Sequence, residues 1–203
     1  MPRLLSALLA ATVPLSALAA PQSYLVDTVH SFANFTVNHF GMSTIYGRFE
    51  RMNAKLTLDQ AGKAGSLEVK IDSTSATTGD AKHEPGSWAA KTYGPRSRDE
   101  HLRTGDFFNS AEFPELVYKS TRFNFNGDNL ESIDGTLTML GVTKPLKLTV
   151  TSFKCGPNPF SKKPMCGADA VGVVKRTDFG MKFGVPAISD EVKLLIGVEA
   201  YPE

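Results

Sequence analysis

The chain has 203 residues, a formal net charge of +1 and 41% hydrophobic residues, with two cysteines and four histidines. A net charge this close to zero provides no overall attraction to nucleic acid or to an anionic membrane, which argues against a nucleic-acid-binding protein. The length suits one domain of moderate size with a substantial core.

The first residues, MPRLLSALLAATVPLSALAA, predict a secretory signal. One arginine precedes an apolar run, and Ala17-Leu18-Ala19 forms an A-x-A cleavage site. The run at 4–13 is shorter than the roughly 20 apolar residues that span a bilayer. We expect cleavage after Ala19, which leaves residues 20–203 as a single domain. The alternative, a buried N-terminal helix, is disfavoured because prolines interrupt the segment and no amphipathic stripe is present.

Most of the remaining chain alternates apolar and polar residues, as strands with one buried face do. The alternation predicts nine strands, at 24–29, 32–40, 45–58, 66–72, 116–126, 131–139, 146–153, 169–175 and 191–200. Turn-forming segments such as DQAGKAGS, NGDN and GVTKP separate several of them and predict short hairpins. The pattern therefore predicts an all-β fold, an antiparallel barrel or sandwich. A closed barrel of about eight strands is either filled by side chains or holds one small ligand.

Successive residues of a strand point to opposite faces, so the parity of a position, odd or even, selects the residues that face the interior. In 31–39 the inward row is Ala33, Phe35, Val37 and His39, whereas His30 lies just before the strand on the opposite side. The predicted lumen-lining residues are Ala33, Phe35, Val37, His39, Phe49, Leu67, Val69, Ile71, Leu137, Met139, Leu148, Val150, Leu194 and Ile196. His39 either closes one end of the barrel through a hydrogen bond to the backbone or contacts a ligand head group. His30 and Asp27 are expected to form a turn pair, and a metal shared by His30 and His39 is excluded because the strand separates them by roughly 30 Å.

The alternation changes phase inside the predicted strand 45–58. Ile45, Gly47 and Phe49 are odd-numbered, whereas the inward residues from Met52 onward are even-numbered. One extra residue near Glu50 and Arg51 would explain the shift, so we expect a β-bulge there.

A long segment, 73–115, has no sustained period and predicts a loop with one or two helical turns at RDEHLR. The conformation of residues 80–96 is left open. Asp99 and His101 suggest an acid–base pair or metal ligands of a hydrolase, but no zincin, serine-hydrolase or phosphate-loop motif accompanies them. Solvated ion pairs on a helical turn are the simpler interpretation.

The cysteines, Cys155 and Cys166, flank the turn-rich segment GPNPFSKKPM. In an exported chain this arrangement predicts a disulfide that closes a surface loop. Two structural thiols or half of a metal site are the alternatives, but a second pair of ligands at zinc-finger spacing is missing.

Five motifs in order resemble the YceI-like family of exported, polyisoprenoid-binding proteins. They are YLVDTVHSFANFTVNHFG with YGRF, RDEHLRTGDFFNSAEFPELVYKS, DGTLTMLGVTKPLKLTV, KRTDFGM and ISDEVKLLIGVEA, which together span essentially all of residues 23–200. Matches to the family pattern include Asp27, His30, Ser31, Arg176 and Asp190. Departures are Lys175 in place of an acidic residue, a longer segment around 79–96 and the cysteine loop.

The resemblance implies an extended, eight-stranded lipocalin-like barrel with a short helical segment near one end. It further implies a periplasmic protein without catalytic activity, metal or cofactor, whose lumen takes an isoprenoid or a similar lipid. Whether the lipid is a quinone that serves a membrane redox partner, and whether the barrel forms a homodimer, stays open at this level. A packed barrel without a ligand is the third interpretation.

Overall fold

The structure of the protein is a computed structural model that describes residues 21–203. The predicted signal, the cleavage site after Ala19 and the first residue of the predicted domain lie outside the described residues. The strands are Gln22–Val26 (β1), Phe32–His39 (β2), Ser43–Phe49 (β3), Met52–Asp59 (β4), Ala64–Asp72 (β5), Ala76–Thr77 (β6), Glu115–Asn126 (β7), Asn129–Met139 (β8), Val142–Pro157 (β9), Pro164–Lys175 (β10) and Ile188–Pro202 (β11). The helices are Trp88–Tyr93 (α1) and Arg98–Leu102 (α2), and 3₁₀ turns occupy Ser73–Ser75 and Arg176–Phe179. Among the described helices none is long and apolar enough to cross a membrane.

The strands form a closed antiparallel barrel with eight positions around its wall. Three positions are each filled by two strands in succession: β1 and β2, β3 and β4, β5 and β6. β11 closes the wall because one of its edges pairs with β10, while the other pairs first with β2 and then with β1. The predicted all-β barrel is therefore confirmed.

The two ends of the barrel differ, and we name them by what they carry. The terminal end holds the first and last described strand ends and the hairpins at 60–63, 127–128 and 158–163. The helical end holds the hairpins at 40–42 and 140–141, the loop 176–187, and the points where the insertion 73–114 leaves and rejoins the wall.

The predicted long strand 45–58 is two strands, and the expected β-bulge is a break at Glu50 and Arg51. The 3₁₀ turn Ser73–Ser75 lies opposite this break and supplies the missing hydrogen-bond partners. The Ser75 carbonyl accepts the Glu50 N–H at 3.2 Å, and the Ser75 hydroxyl accepts the Arg51 N–H at 3.1 Å. The phase change itself is confirmed, since Phe49 and Met52 both face the core. Pairing with a turn instead of a strand is what makes a two-residue break possible.

The insertion contains the predicted helical turns and one helix that the sequence left open. α2 begins at Arg98 behind a capping box, in which the Ser97 hydroxyl accepts the Glu100 N–H and the Glu100 carboxylate accepts the Ser97 N–H. α1 occupies part of 80–96, with Ser87 as its N-cap residue. Capping therefore fixes both helices, although each is shorter than two turns.

The cysteines form the predicted disulfide, which closes the hairpin with the turn 158–163, and both cysteines lie in the strands that flank this turn. Cys155 in β9 pairs directly with Cys166 in β10, and their Cα atoms are 4.0 Å apart. The strands extend further than the alternation predicts, so only 158–163 remain as the turn.

Candidate functional site: the barrel lumen

The barrel encloses two apolar chambers, arranged along its length. The first chamber, toward the terminal end, has a volume of ≈ 150 Å³. Its wall comes from the sheet, with side chains from β1, β2, β4, β5 and β7–β11. The second chamber, toward the helical end, has a volume of ≈ 100 Å³. Leu137 and Leu194 line both chambers, so they stand at the boundary between them.

Thirteen of the fourteen residues predicted to line the lumen do lie on these chambers. The first chamber is lined by Ala33, Leu67, Val69, Ile71, Leu137, Leu148, Val150, Leu194 and Ile196. The second is lined by Phe35, Val37, Phe49, Met139, Leu137 and Leu194. Strand parity alone placed these side chains, because an alternating row on a closed wall has only one inner face.

His39 is the exception, since it lines neither chamber. It is half-buried at the end of β2, paired with Ser43 across the hairpin, and its ring packs on Phe40 with 3.8 Å between centroids. The alternation does continue to His39, but β2 ends there. The side chain therefore lies at the hairpin and not on the wall of the second chamber. The structure therefore does not place it as a polar contact inside the lumen.

The second chamber contains an aromatic cluster of three phenylalanines. The ring centroids of Phe35 and Phe49 are 5.5 Å apart, and the Phe108 ring lies 5.3 Å from that of Phe49. Gly47 makes room for this cluster, because a Cβ at that position would lie 2.3 Å from the Phe35 ring. The cluster fills part of the lumen, as the interpretation of a packed barrel expected, yet open volume remains on both sides of the boundary.

Tyr118 carries the main polar atom that reaches the wall of the first chamber. Its hydroxyl donates to the Ile133 carbonyl at 3.2 Å, and burial raises its pKa above the ordinary tyrosine range. Gly135 permits this approach, since a Cβ there would lie 2.5 Å from the hydroxyl. Because the hydroxyl is already hydrogen-bonded and neutral, the chamber offers a ligand an essentially hydrocarbon surface.

Arg176 is the charged residue on the wall of the second chamber, and strand alternation gave no signal for it. Its guanidinium donates to the carbonyls of Ser189 at 2.9 Å, Phe183 at 2.8 Å, Ile188 at 2.8 Å and Met181 at 3.3 Å. Burial lowers its pKa relative to that of a free arginine. The motif KRTDFGM in the family resemblance was the one available signal. Arg176 thus ties the loop 176–187 to the start of β11 at the wall of this chamber.

Asp99 and His101 do not form an acid–base pair. The Asp99 carboxylate is fully buried and accepts the Thr77 hydroxyl at 2.7 Å and the Thr78 N–H at 2.7 Å. His101 instead contacts Asp106, with 2.7 Å between Nε2 and Oδ2. The two side chains serve separate local contacts, so the arrangement expected of a hydrolase is absent at this position.

Asp27 and His30 form the expected turn pair on the outside of the barrel. His30 Nδ1 lies 2.8 Å from Asp27 Oδ2, and the Val29 N–H donates to Oδ1 at 2.9 Å. The hydrogen bond to His30 lowers the pKa of Asp27, and the same bond raises that of His30. Together with Glu199 they bring three potential ligand atoms within 4.8 Å of one another. Their mutual hydrogen bond accounts for the arrangement as a turn.

Comparison with known proteins gives consistent results in sequence and fold. The family model of the YceI-like domain matches residues 24–200. Protein YceI of Escherichia coli O17:K52:H18 is 35% identical over 185 residues, which cover 91% of this chain and 88% of that protein.

Two solved structures share the fold. BcnA of Burkholderia cenocepacia has a TM-score of 0.64 at 22% identity and covers 86% of this chain and 98% of its own. A polyisoprenoid-binding domain from Saccharophagus degradans has a TM-score of 0.57 at 16% identity and covers 90% of this chain and 99% of its own. At these identities the likeness shows the fold alone.

Proposed function

Because the chain belongs to the YceI-like family, we propose that it is a periplasmic carrier, not an enzyme, that holds the hydrocarbon chain of an isoprenoid or a similar lipid in its lumen. The isoprenoid is either quinone-like or polyprenyl. The observation that carries this proposal is the pair of apolar chambers placed one after the other along the barrel. The polyisoprenoid-binding domain with the same fold supports the choice of ligand.

The chemistry of the wall suits a long hydrocarbon chain. Such a chain needs removal from water and makes no directed hydrogen bonds, and each buried CH₂ contributes ~0.8 kcal/mol. Ten buried methylenes therefore offer roughly 8 kcal/mol before the cost of ordering the chain. Affinity is expected to follow the length of buried chain, and selectivity among tails is expected to be loose.

The chamber volumes imply that the lumen adapts when a long chain enters. A cavity of about 150 Å³ is the size that holds one benzene molecule, and the first chamber has this volume. A polyprenyl chain is many times larger than benzene. Loading therefore requires Leu137 and Leu194 to separate and join the two chambers.

The periplasmic location rests on the predicted signal and on the disulfide. The segment before Ala19 has the features of a secretory signal. The Cys155–Cys166 bond suits an oxidising compartment. N-terminal sequencing of the mature protein from a periplasmic extract is expected to begin at Ala20, and a cytoplasmic, uncleaved protein would contradict this. A redox partner in the membrane and a homodimer stay predictions.

Mass spectrometry of an organic extract tests the ligand. The protein, purified from its native cell without detergent, is expected to release a prenyl or other long-chain lipid, and the emptied protein is expected to take up a polyprenol added in detergent. An empty lumen together with no uptake of prenyl or acyl chains would contradict the proposal.

A matched pair of variants locates the binding inside the barrel. Ala54 lines the first chamber, whereas the neighbouring Lys55 is exposed on the outer face of the same strand. Ala54→Phe fills the lumen and is expected to reduce polyprenol uptake strongly, while Lys55→Phe places the same aromatic side chain outside the barrel and leaves uptake unchanged. Circular dichroism checks that both variants are folded. Equal uptake by the two variants would place the ligand elsewhere.

A further inference from the structure

The ladder of hydrogen bonds between β8 and β9 stops before the two strands do. Its last pair toward the terminal end is Ser132 with Thr149, although β8 begins at Asn129 and β9 continues to Pro157. Past that pair a groove with a volume of ≈ 490 Å³ lies between the two strands. We call this groove the side opening, and it is lined by residues 129–132, by Lys147 and by residues 149–153.

A β-bulge on each strand accounts for the separation. The extra residue is Glu131 in β8, where the residues on either side of it pair with consecutive residues of β7. The extra residue is Thr151 in β9, where the flanking residues pair with consecutive residues of β10. A bulge bends its strand and interrupts the regular pairing. Because both bulges lie directly past the last pair, each strand bends where it leaves its partner.

The side opening lies against the first chamber. Leu130, Val150 and Phe153 line both the opening and the chamber, so the two spaces lie on opposite sides of the same three side chains.

The neighbouring terminal end of the barrel is crossed by protein. The ring centroids of Phe125 and Phe153 lie 6.5 Å apart there, and the Gln60 side chain donates to Cys155 Sγ at 2.8 Å. Two strands, β7 and β8, stand between β5 and β9 in the wall, so the hairpin at Gln60 reaches across the barrel end. The side opening therefore offers a route to the first chamber that avoids this hairpin.

The outer part of the side opening is polar, unlike the chambers. The Lys147 ammonium lies on its lining and forms no ion pair with any described residue. The acidic residue of the lining, Glu131, accepts a hydrogen bond from the Asn126 side chain at 2.8 Å. Backbone N–H groups on the separated strand edges and side-chain hydroxyls add further donors, the latter from Ser132, Thr149 and Ser152. This set of donors suits a group that carries oxygen acceptors.

We propose that the side opening is both the entrance of the lumen and the head-group site of the ligand. The hydrocarbon chain passes between β8 and β9 into the first chamber, and an oxygen-bearing polar head stays in the groove, where Lys147 and the hydroxyls donate to it. This inference rests on the proposed function for the presence of a lipid chain, but the position of the head is measured separately.

A second groove borders the first chamber and is the competing position for the head. It lies where β1 leaves β4, and Val26, Met52 and Ala54 line both this groove and the chamber. The charged residue on its lining is Asp27, whose carboxylate is already hydrogen-bonded to His30 and to the Val29 N–H. Its described lining contains no lysine or arginine. A head that accepts hydrogen bonds is therefore better matched by the side opening.

Paramagnetic broadening of amide signals in NMR spectra locates the head. The probe is a geranylgeranyl chain with a nitroxide at its head, added in detergent to the wild-type protein, and the same probe reduced by ascorbate is the diamagnetic control. The strongest broadening is expected at residues 129–132 and 147–153. Strongest broadening at 25–28 and 52–54 would assign the head to the second groove, and strongest broadening at 40–42 and 176–187 would assign it to the helical end. Either result would overturn the inference.

A matched pair of variants tests the entrance. Ser152 and Thr143 are both exposed on β9, but Ser152 lines the side opening, whereas Thr143 pairs with Thr138 in the intact ladder. Ser152→Trp is expected to slow uptake of a polyprenol from detergent at least about tenfold, which corresponds to about 1.4 kcal/mol in the entry barrier, and Thr143→Trp to change the rate by less than about twofold. Circular dichroism checks that both variants are folded.

The outcomes separate this inference from the proposed function. Equal uptake rates in the two variants would overturn the side opening as the entrance. Uptake of the nitroxide probe with its head elsewhere would overturn the head-group site and leave the carrier function standing. No uptake of the probe or of a polyprenol by the wild type would contradict the proposed function as well.

Discussion

The two chambers of the lumen differ in what builds their walls. The first is lined by strand residues at alternating positions, such as Leu67 and Val69 on β5. The second also takes Leu102 and Phe108 from the insertion, Met181 from a loop, and Arg176 from a 3₁₀ turn. A wall made only of sheet is fixed by local pattern, whereas a wall completed by loops depends on what holds those loops. Disturbing the loops is therefore expected to affect the second chamber and to spare the first.

The largest effect is expected from Arg176→Met. The substitution leaves carbonyls of four residues without their donor, and at about 1 kcal/mol for each lost hydrogen bond the free energy of unfolding falls by about 4 kcal/mol. Chemical denaturation measures the loss, and hydrogen exchange is expected to quicken first in the loop 176–187. The neighbouring exposed substitution Lys175→Met is the control, and an equal loss in both would remove the special role of Arg176.

The boundary between the chambers is tested by Leu137→Ala. Leu137 is 7% exposed, and a buried leucine truncated to alanine costs about 3 kcal/mol. The variant joins the chambers, so we expect the preference for long over short prenols to rise relative to wild type. The control is Thr136→Ala on the outward face of the same strand. Unchanged length preference in Leu137→Ala would show that the boundary does not limit the chain.

The disulfide is expected to support the first chamber alone, since Cys166 lines it. Its removal in Cys155→Ser/Cys166→Ser frees a loop of 11 residues in sequence separation and is expected to lower the free energy of unfolding by about 2–3 kcal/mol. Thermal unfolding measures the change, and reduction of the wild type by dithiothreitol is expected to reproduce it. Unchanged thermal unfolding after reduction would contradict this expectation.

The smallest effect is expected from the Asp27–His30 pair outside both chambers. The pKa of His30 is raised by its hydrogen bond to Asp27, so its stabilisation is full below the unfolded value of about 6.5 and is lost as the pH rises through the higher folded value. The pKa of Asp27 is lowered by the same bond, so its stabilisation is present above about 4 and is lost at more acidic pH. The pair is strongest between these limits.

Denaturation of the wild type and of Asp27→Asn over that range measures the dependence. The stability difference between them is expected to be largest near the middle of the window and to shrink above neutral pH, while ligand uptake stays equal. A difference that grows toward alkaline pH would contradict the assigned hydrogen bond.

Strand parity predicted which side chains line the lumen, but it did not predict where the strands end or break. Leu148 and Ile196 could be placed because a strand with one wet face fixes the direction of every second side chain. The same rule placed His39 on the inner row and could not tell that the strand ends there. The β-bulge at Glu50 and Arg51 was wrong for a related reason, since the partner that permits the break, Ser75, comes from a distant turn.

The sequence by itself thus determined the class of fold, the apolar inner face, the pairing of its two cysteines and the family, because alternation, turn residues and ordered motifs are local properties of the chain. Only the tertiary structure decided that the lumen has two chambers, that Arg176 holds the loop at one of them, and that Asp99 and His101 face different partners. These features depend on segments that lie far apart in the chain and meet only when the wall closes, and contacts of that kind leave no periodic signal in the sequence.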